Sequence, residues 1–336
     1  MMKSYLDACG VPTIRVGHAE LPRLVMGIHP YDGCSYQDKQ RDADNLQVFG
    51  RVAEVVEVLR HAVEEGITVA QVDHMIPDLN RLHLQAIWET QRLTGVQIGL
   101  LAYILIPVTL NGEMVASSER AHSTFYACDE EAGGAAFREQ LARDEILRYM
   151  LDGSMDNLVT PDKVPPYGSE DTTQFEIDYA ALERHLGFFA GCDILVADPG
   201  AEIDLLAMTG RFDLIREYIE FLRQRFDTVI TSVHHAGVTI PLLESEGIPV
   251  DGYLTPVNQP GMYMFPTKEL ALDALRQARK PVIAIKPLAG GRYLGPHAFR
   301  FVFDEVGVDA CLYGMGTLEQ VRATTRAAKE VSGAIG

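Results

Sequence analysis

Short apolar runs and amphipathic stretches alternate along the chain. Each run is β-rich, and the stretch that follows has helical spacing. The first run is 24–29. A helix is predicted over 45–65, with Val52, Val55, Val56, Leu59 and Ala62 on one face and Gly66 just past its end. Run 68–74, helix 80–94 closed by Gly95, and a third strand within 97–108 follow. After an interruption the rhythm resumes with helix 180–189, strand 193–198, helix 202–225, strand 228–235 and helix 239–246. Strand 252–257, helix 267–280, strand 282–287, helix 296–306, strand 308–313 and helix 318–331 complete it. Strands that alternate with helices imply a parallel sheet covered by helices. Eight such units predict an α/β protein with one closed (β/α)8 TIM barrel spanning 1–336. No GxGxxG follows the first run, which weakens the case for an open dinucleotide-binding sheet. The interruption, 109–179, is far longer than an ordinary connection. Within it 135–151 predicts a helix. Residues 153–173, with Pro161, Pro165, Pro166 and several acids, predict an exposed loop. Long connections are commonly functional, so 109–179 is expected to be a lid or a subunit contact.

Four of the apolar runs stop on histidine or aspartate, at His29, at Asp73-His74, at Asp198 and at His234-His235. In a parallel barrel the C-terminal strand ends line the site. That rim would hold His29, Asp73, His74, Asp198, His234 and His235, with Asp78 close behind and Tyr103, Asn258 and Lys286 from the other strands. Crowded carboxylates are unfavourable without a cation or a shared proton. Histidines with one or two carboxylates form a common ligand set for zinc, manganese, iron or cobalt. A divalent metal is therefore expected at His29, Asp73, His74, Asp198, His234 and His235. Neighbours on a strand face opposite ways, so one of Asp73 and His74, and one of His234 and His235, points inward. Each residue also has a plainer reading. A strand-end histidine often only packs, and Asp198, before Pro199-Gly200, can cap a turn or helix. The expected function is a metal-dependent enzyme that hydrolyses, isomerises or eliminates from a small polar oxygenated substrate, with Asp78 or unliganded Asp198 moving the proton. Lys286 is expected to neutralise a carboxylate or a substrate oxyanion, in preference to forming a Schiff base. Gly290-Gly291-Arg292 and Gly314-Met-Gly316 follow strands seven and eight, where many barrels bind phosphate.

The chain has 336 residues, 47% of them hydrophobic, which is enough for a large core. No stretch approaches the roughly 20 apolar residues that span a membrane, and the first residues form no apolar signal core, so a cytoplasmic protein is expected. Five scattered cysteines without a CxxC pair predict neither a disulfide framework nor a structural zinc site. A net charge of −18 repels phosphate backbones and anionic lipid. The expected partner is a small-molecule substrate, with no nucleic acid and no membrane; a homo-oligomer stays open.

Stretches in three regions of the chain resemble a known family. Leu21-Pro-Arg-Leu-Val-Met-Gly-Ile is similar to the opening strand of aldo-keto reductases, and 55–68 to their first helix and the entry to strand two. Val282-Ile-Ala-Ile-Lys-Pro-Leu-Ala-Gly-Gly, 298–303 and 308–321 are similar to their last two units. The resemblance implies an aldo-keto-reductase-like barrel. It also implies an alternative function, an NADP(H)-dependent oxidoreductase. That family uses an Asp, Tyr, Lys and His tetrad. Asp73 keeps the aspartate, but the tyrosine position falls on Asp78, the lysine on or near Tyr103, and the histidine on Asp198. A reductase here would need a rearranged acid such as Tyr103. No basic residue precedes Arg322 after strand eight. A third reading is a ligand-binding barrel without chemistry.

Overall fold

A computed structural model describes residues 2–333. Eight parallel strands form one sheet: β1 (Leu24–Gly27), β2 (Val69–Val72), β3 (Gly99–Tyr103), β4 (Ile194–Asp198), β5 (Thr231–Ser232), β6 (Tyr253–Pro256), β7 (Val282–Ile285) and β8 (Ala310–Gly314). β8 pairs with β1 through Cys311–Leu24 to Gly314–Gly27. An Ala197–Val229 bridge joins β4 to the start of the β5 segment, so the sheet closes into a (β/α)8 barrel.

The period of two in each strand sorts its side chains between two apolar layers. Val25, Val69, Leu101, Val196, Ile230, Leu254, Ile283 and Leu312 fill the barrel interior. Their neighbours Met26, Ala70, Leu100, Ala102, Ala197, Tyr253, Ala284 and Cys311 pack against the surrounding helices. A hairpin, Thr13–Val16 with Ala19–Pro22, plugs the N-terminal end with Val16, Ala19 and Leu21. The His18 and Ala19 amides donate to Thr228 Oγ1 at 3.1 and 3.0 Å and hold it there. Only the C-terminal end stays open for a site.

Two predicted helices are broken. The 45–65 stretch is Lys39–Phe49 and Val52–Glu64, with Gly50 between them, and 202–225 is Glu202–Met208 and Phe212–Arg223, parted by Gly210 at φ 73°. Apolar spacing runs on across a glycine, although the backbone does not. Between β3 and β4 lies an insertion with its own antiparallel sheet (Val108–Leu110, Glu113–Met114, Glu176–Ile177) and a helix, Glu119–Arg143, that bends at Gly134. A shorter helix, Glu145–Met150, follows it. The 135–151 prediction thus captures only the end of this helical stretch. The 153–173 segment mixes exposed with half-buried positions. Arg120 clamps Asp171 at 2.5 Å, and the Tyr167 amide donates to Thr124 Oγ1 at 3.0 Å.

The insertion is fastened to the barrel by a buried pair. Asp129 Oδ2 lies 2.6 Å from His235 Nδ1, and the imidazole stacks between Phe125 and Phe265. Burial opposes the charged ring, but the Asp129 carboxylate outweighs it and raises the His235 pKa above its ordinary 6.5. A raised folded-state pKa gives stability that is complete below the unfolded value and is lost as pH rises through the folded one. Proteolysis of the 153–173 segment should therefore accelerate as pH climbs past neutrality. Asp129→Ala should remove that pH dependence and cost about 3 kcal/mol in denaturant melts. A flat wild-type profile would disconnect the pair from anchoring.

Candidate active site at the barrel mouth

Strand parity decides which rim residues reach the mouth. The residues expected in pairs split as alternation requires. Asp73 turns toward Asp32 on the β1 loop, whereas His74 turns outward. His74 Nε2 accepts from the Leu105 amide at 3.2 Å, and its ring stacks on His185 at 4.1 Å. Burial and His185 lower its pKa to about 4. His234 turns inward to Lys286, whereas His235 faces the insertion.

Asp198 reaches the interior but is fully occupied. It accepts from the Gly200 amide at 3.0 Å, the Ser232 amide at 2.8 Å and the Ser232 hydroxyl at 2.5 Å. It ties β4 to β5, as the turn-capping reading describes. Asp78 lies on the first turn of helix Pro77–Thr94 with its side chain in solvent, 3.4 Å from Arg81. Tyr103 donates to Glu202 Oε2 at 3.0 Å. Burial, with Glu202 and Asp198, pushes the Tyr103 pKa well up, which makes it a poor proton donor. Burial also brings Glu202 to about 7. Asn258 closes its own loop through both Met262 backbone groups.

These placements correct the metal expectation. No group of three or more histidine, cysteine, aspartate or glutamate side chains suited to a metal occurs among the described residues. His29, Asp73, His74, Asp198, His234 and His235 do not converge, because two face outward and Asp198 spends its oxygens on backbone and hydroxyl donors.

The rim instead gathers a cation, imidazoles and phenols. Lys286, at the end of β7, places Nζ 3.3 Å from His234 Nε2 and 5.1 and 5.2 Å from the ring centres of Tyr36 and Tyr263. Among the described residues no carboxylate lies within ion-pair distance of it. Burial lowers its pKa to about 8, with Cys34 and Asp144 pulling the other way. His234 is held well below 6.5 by burial and then by Lys286, so its neutral Nε2 accepts from the ammonium and its own proton sits on Nδ1. His29 flanks the cluster at 5.5 Å from the Tyr36 ring, and burial with Lys286 takes its pKa to about 3. Tyr36, Tyr263 and Lys286 have φ of 58°, 60° and 55°. Such values are rare for bulky residues and concentrate at functional sites.

Tyr36, Cys34 and Asp32 were not candidates in the sequence, because they sit in loops rather than at strand ends. Tyr263, with Met262, Met264, Tyr253 and Phe265, reads from the sequence as part of a substrate wall or subunit contact rather than as a cofactor holder. Over the β7 loop the β1 loop meets the insertion. Gln37 Nε2 donates to Gly290 O at 2.8 Å, and Arg292 donates to Glu145 and to Tyr36 O, both at 2.5 Å. Gly290 and Gly291 are required here: a Cβ would meet Tyr36 and Arg292 at 2.8 Å or Gln37 at 2.5 Å.

No family model matches the chain, and no curated protein matches it in sequence. Solved structures do match in three dimensions. A candidate aldo-keto reductase from Pseudomonas aeruginosa superposes with a TM-score of 0.51 at 11% identity, covering 96% of this chain and 95% of that one. A second such structure from that organism gives 0.50 at 12%, covering 96% of each. A Bombyx mori aldo-keto reductase in complex with NADP gives 0.51 at 11%, covering 96% and 92%. At this identity the likeness is one of fold, and the chain has an aldo-keto-reductase-like TIM barrel. These neighbours and the dispersed ligands together overturn the metal-dependent hydrolase, isomerase or lyase.

Elemental analysis of purified protein should find no stoichiometric divalent metal. Asp198→Ala should act on stability rather than on metal content. It leaves three donors without their acceptor and should cost about 3 kcal/mol in a denaturant melt.

Proposed function

We propose that the chain is an NADP(H)-dependent oxidoreductase that reduces a small carbonyl compound, with Lys286 and His234 handling the proton in place of the missing tetrad members. The observation that carries this reading is the buried Lys286 ammonium, held between two phenol rings with no carboxylate partner among the described residues. An unmatched buried cation favours an anion or a polarised oxygen beside it. The donor set fits a dinucleotide phosphate as well. Lys286 is followed by Gly290 and Gly291, at φ 65° and 78°, and by Arg292, at the barrel position where phosphates commonly bind. Those residues would hold the cofactor, and the Bombyx mori neighbour carries NADP in the same fold. When bound, the nicotinamide supplies a hydride.

The chain's own groups supply the rest. At neutral pH Lys286 is mainly an ammonium, because its lowered pKa of about 8 still lies above the medium. It can donate to a carbonyl oxygen as negative charge develops there. Neutral His234 orients it through Nε2. Tyr36 and Tyr263 exclude water and stabilise the cation through their faces. The loss of the family's Tyr, Lys and His positions favours a second reading, a ligand-binding barrel without chemistry.

NADPH should bind near one equivalent in a fluorescence titration, and Lys286→Met should weaken it. Reduction of a panel of small aldehydes and ketones should fall at least about a hundredfold in that variant, the usual worth of a general acid. In the wild type, kcat/KM for reduction should decline as pH rises through about 8, where Lys286 loses its proton. Binding without turnover would assign the ligand-binding barrel, and absence of nucleotide binding would overturn the oxidoreductase.

A further inference from the structure

The insertion's short helix, Glu145–Met150, is fastened to the loops of the mouth at both ends. Asp144, its N-cap, accepts from the Leu147 amide at 2.9 Å and from the Tyr263 amide at 2.5 Å. Tyr149 donates to Asp42 Oδ2 at 2.8 Å, and Lys39 pairs with Asp152 at 3.1 Å. Ile146 is fully buried. The backbone of this helix is therefore fixed. The Glu145 side chain is not: it is 60% exposed, and its only side-chain partner among the described residues is Arg292 Nε, 2.5 Å from Glu145 Oε2.

Arg292 is held from the other side. Its Nη1 donates to the Tyr36 carbonyl at 2.5 Å and to that of Ala289 at 3.4 Å, whereas Nη2 has no partner among the described residues. The Arg292 side chain is 21% exposed, so a solute can reach it. A guanidinium fork takes a carboxylate or a phosphate in the same way. Here a carboxylate of the same chain takes it. An exposed ion pair of this kind is weak and is screened by salt. A phosphate ester brings up to two charges and several acceptor oxygens to the same donors, so it can displace a single carboxylate. Glu145 can then turn into solvent while its helix stays in place.

We propose that Glu145 is a built-in competitor for the phosphate site: its carboxylate occupies Arg292 until a phosphate ester displaces it. This rests on the phosphate site proposed above and adds its regulation. Arg292 keeps its charge and exchanges one anion for another, and no covalent bond changes. Affinity is thus lower than the donors alone would give, and release is faster. Departure of a spent ligand limits turnover in many enzymes, so a resident competitor shortens the cycle.

The test titrates the full-length protein with NADPH by fluorescence and with inorganic pyrophosphate by calorimetry, with circular dichroism confirming the fold of each variant. Glu145→Gln should tighten both ligands about fivefold, the upper worth of an exposed ion pair, and slow NADPH dissociation in stopped flow. Asp152→Asn removes one charge from the same segment without touching Arg292, and it should leave both affinities unchanged. Arg292→Met should weaken binding, and adding Glu145→Gln to it should gain nothing, because the competitor has lost its target. Equal tightening by Asp152→Asn, or a gain that survives Arg292→Met, would reduce the effect to overall charge and overturn the competitor. NADPH binding that Glu145→Gln leaves unchanged would also overturn it, with the oxidoreductase reading intact. If NADPH binds no variant, that reading falls by itself. Pyrophosphate binding tightened by Glu145→Gln would then still support the competitor, and pyrophosphate binding that is absent or unmoved would overturn it too.

Discussion

The constraint on which the rest depends is the two-residue alternation of a closed parallel sheet. Once β8 pairs with β1, no strand can rotate without turning its apolar residues into the wrong layer. The same rule that sends Val69 inward and Ala70 outward sends Asp73 to the mouth and His74 to the helix layer. It likewise splits His234 from His235. The catalytic possibilities of the rim are therefore fixed by the packing of the layer beneath it. A side chain can change its chemistry by mutation, but not its side.

Much of the fold was legible, and for one reason. A strand–helix unit leaves a local mark in the sequence, and eight such marks add up to a barrel. The helix breaks at Gly50 and Gly210 were less visible, because periodicity is carried by side chains while the break is made by backbone. The 119–134 half of the insertion's long helix was also missed. Its buried residues include Ser123, Thr124 and Asp129, which carry little apolar signal.

The site was legible only in part. Strand ends pointed to Asp73, His234 and Lys286, and all three lie at the mouth. They did not reveal what surrounds them. Tyr36, Tyr263 and Asp32 come from loops after β1 and β6, and their positive φ or buried pairing has no signature in residue order. Counting histidines and aspartates suggested a metal, because composition does not register direction. The structure spends Asp198 on a turn and Asp129 with His235 on an anchor. Acids in one stretch of sequence can thus serve unrelated tasks.

The position of the insertion also has a consequence for the order in which the molecule is made. Three of its anchors lie far downstream: Asp129 waits for His235 across 106 residues, Asp144 for Tyr263 across 119, and Glu145 for Arg292 across 147. At ordinary rates of synthesis that is a delay on the order of ten seconds. During it, the apolar face carrying Phe125 and Phe137 has no barrel to rest on. A nascent chain of this design stays sticky until its last third leaves the ribosome, so its yield in a cell should depend on whatever shelters that face in the interval.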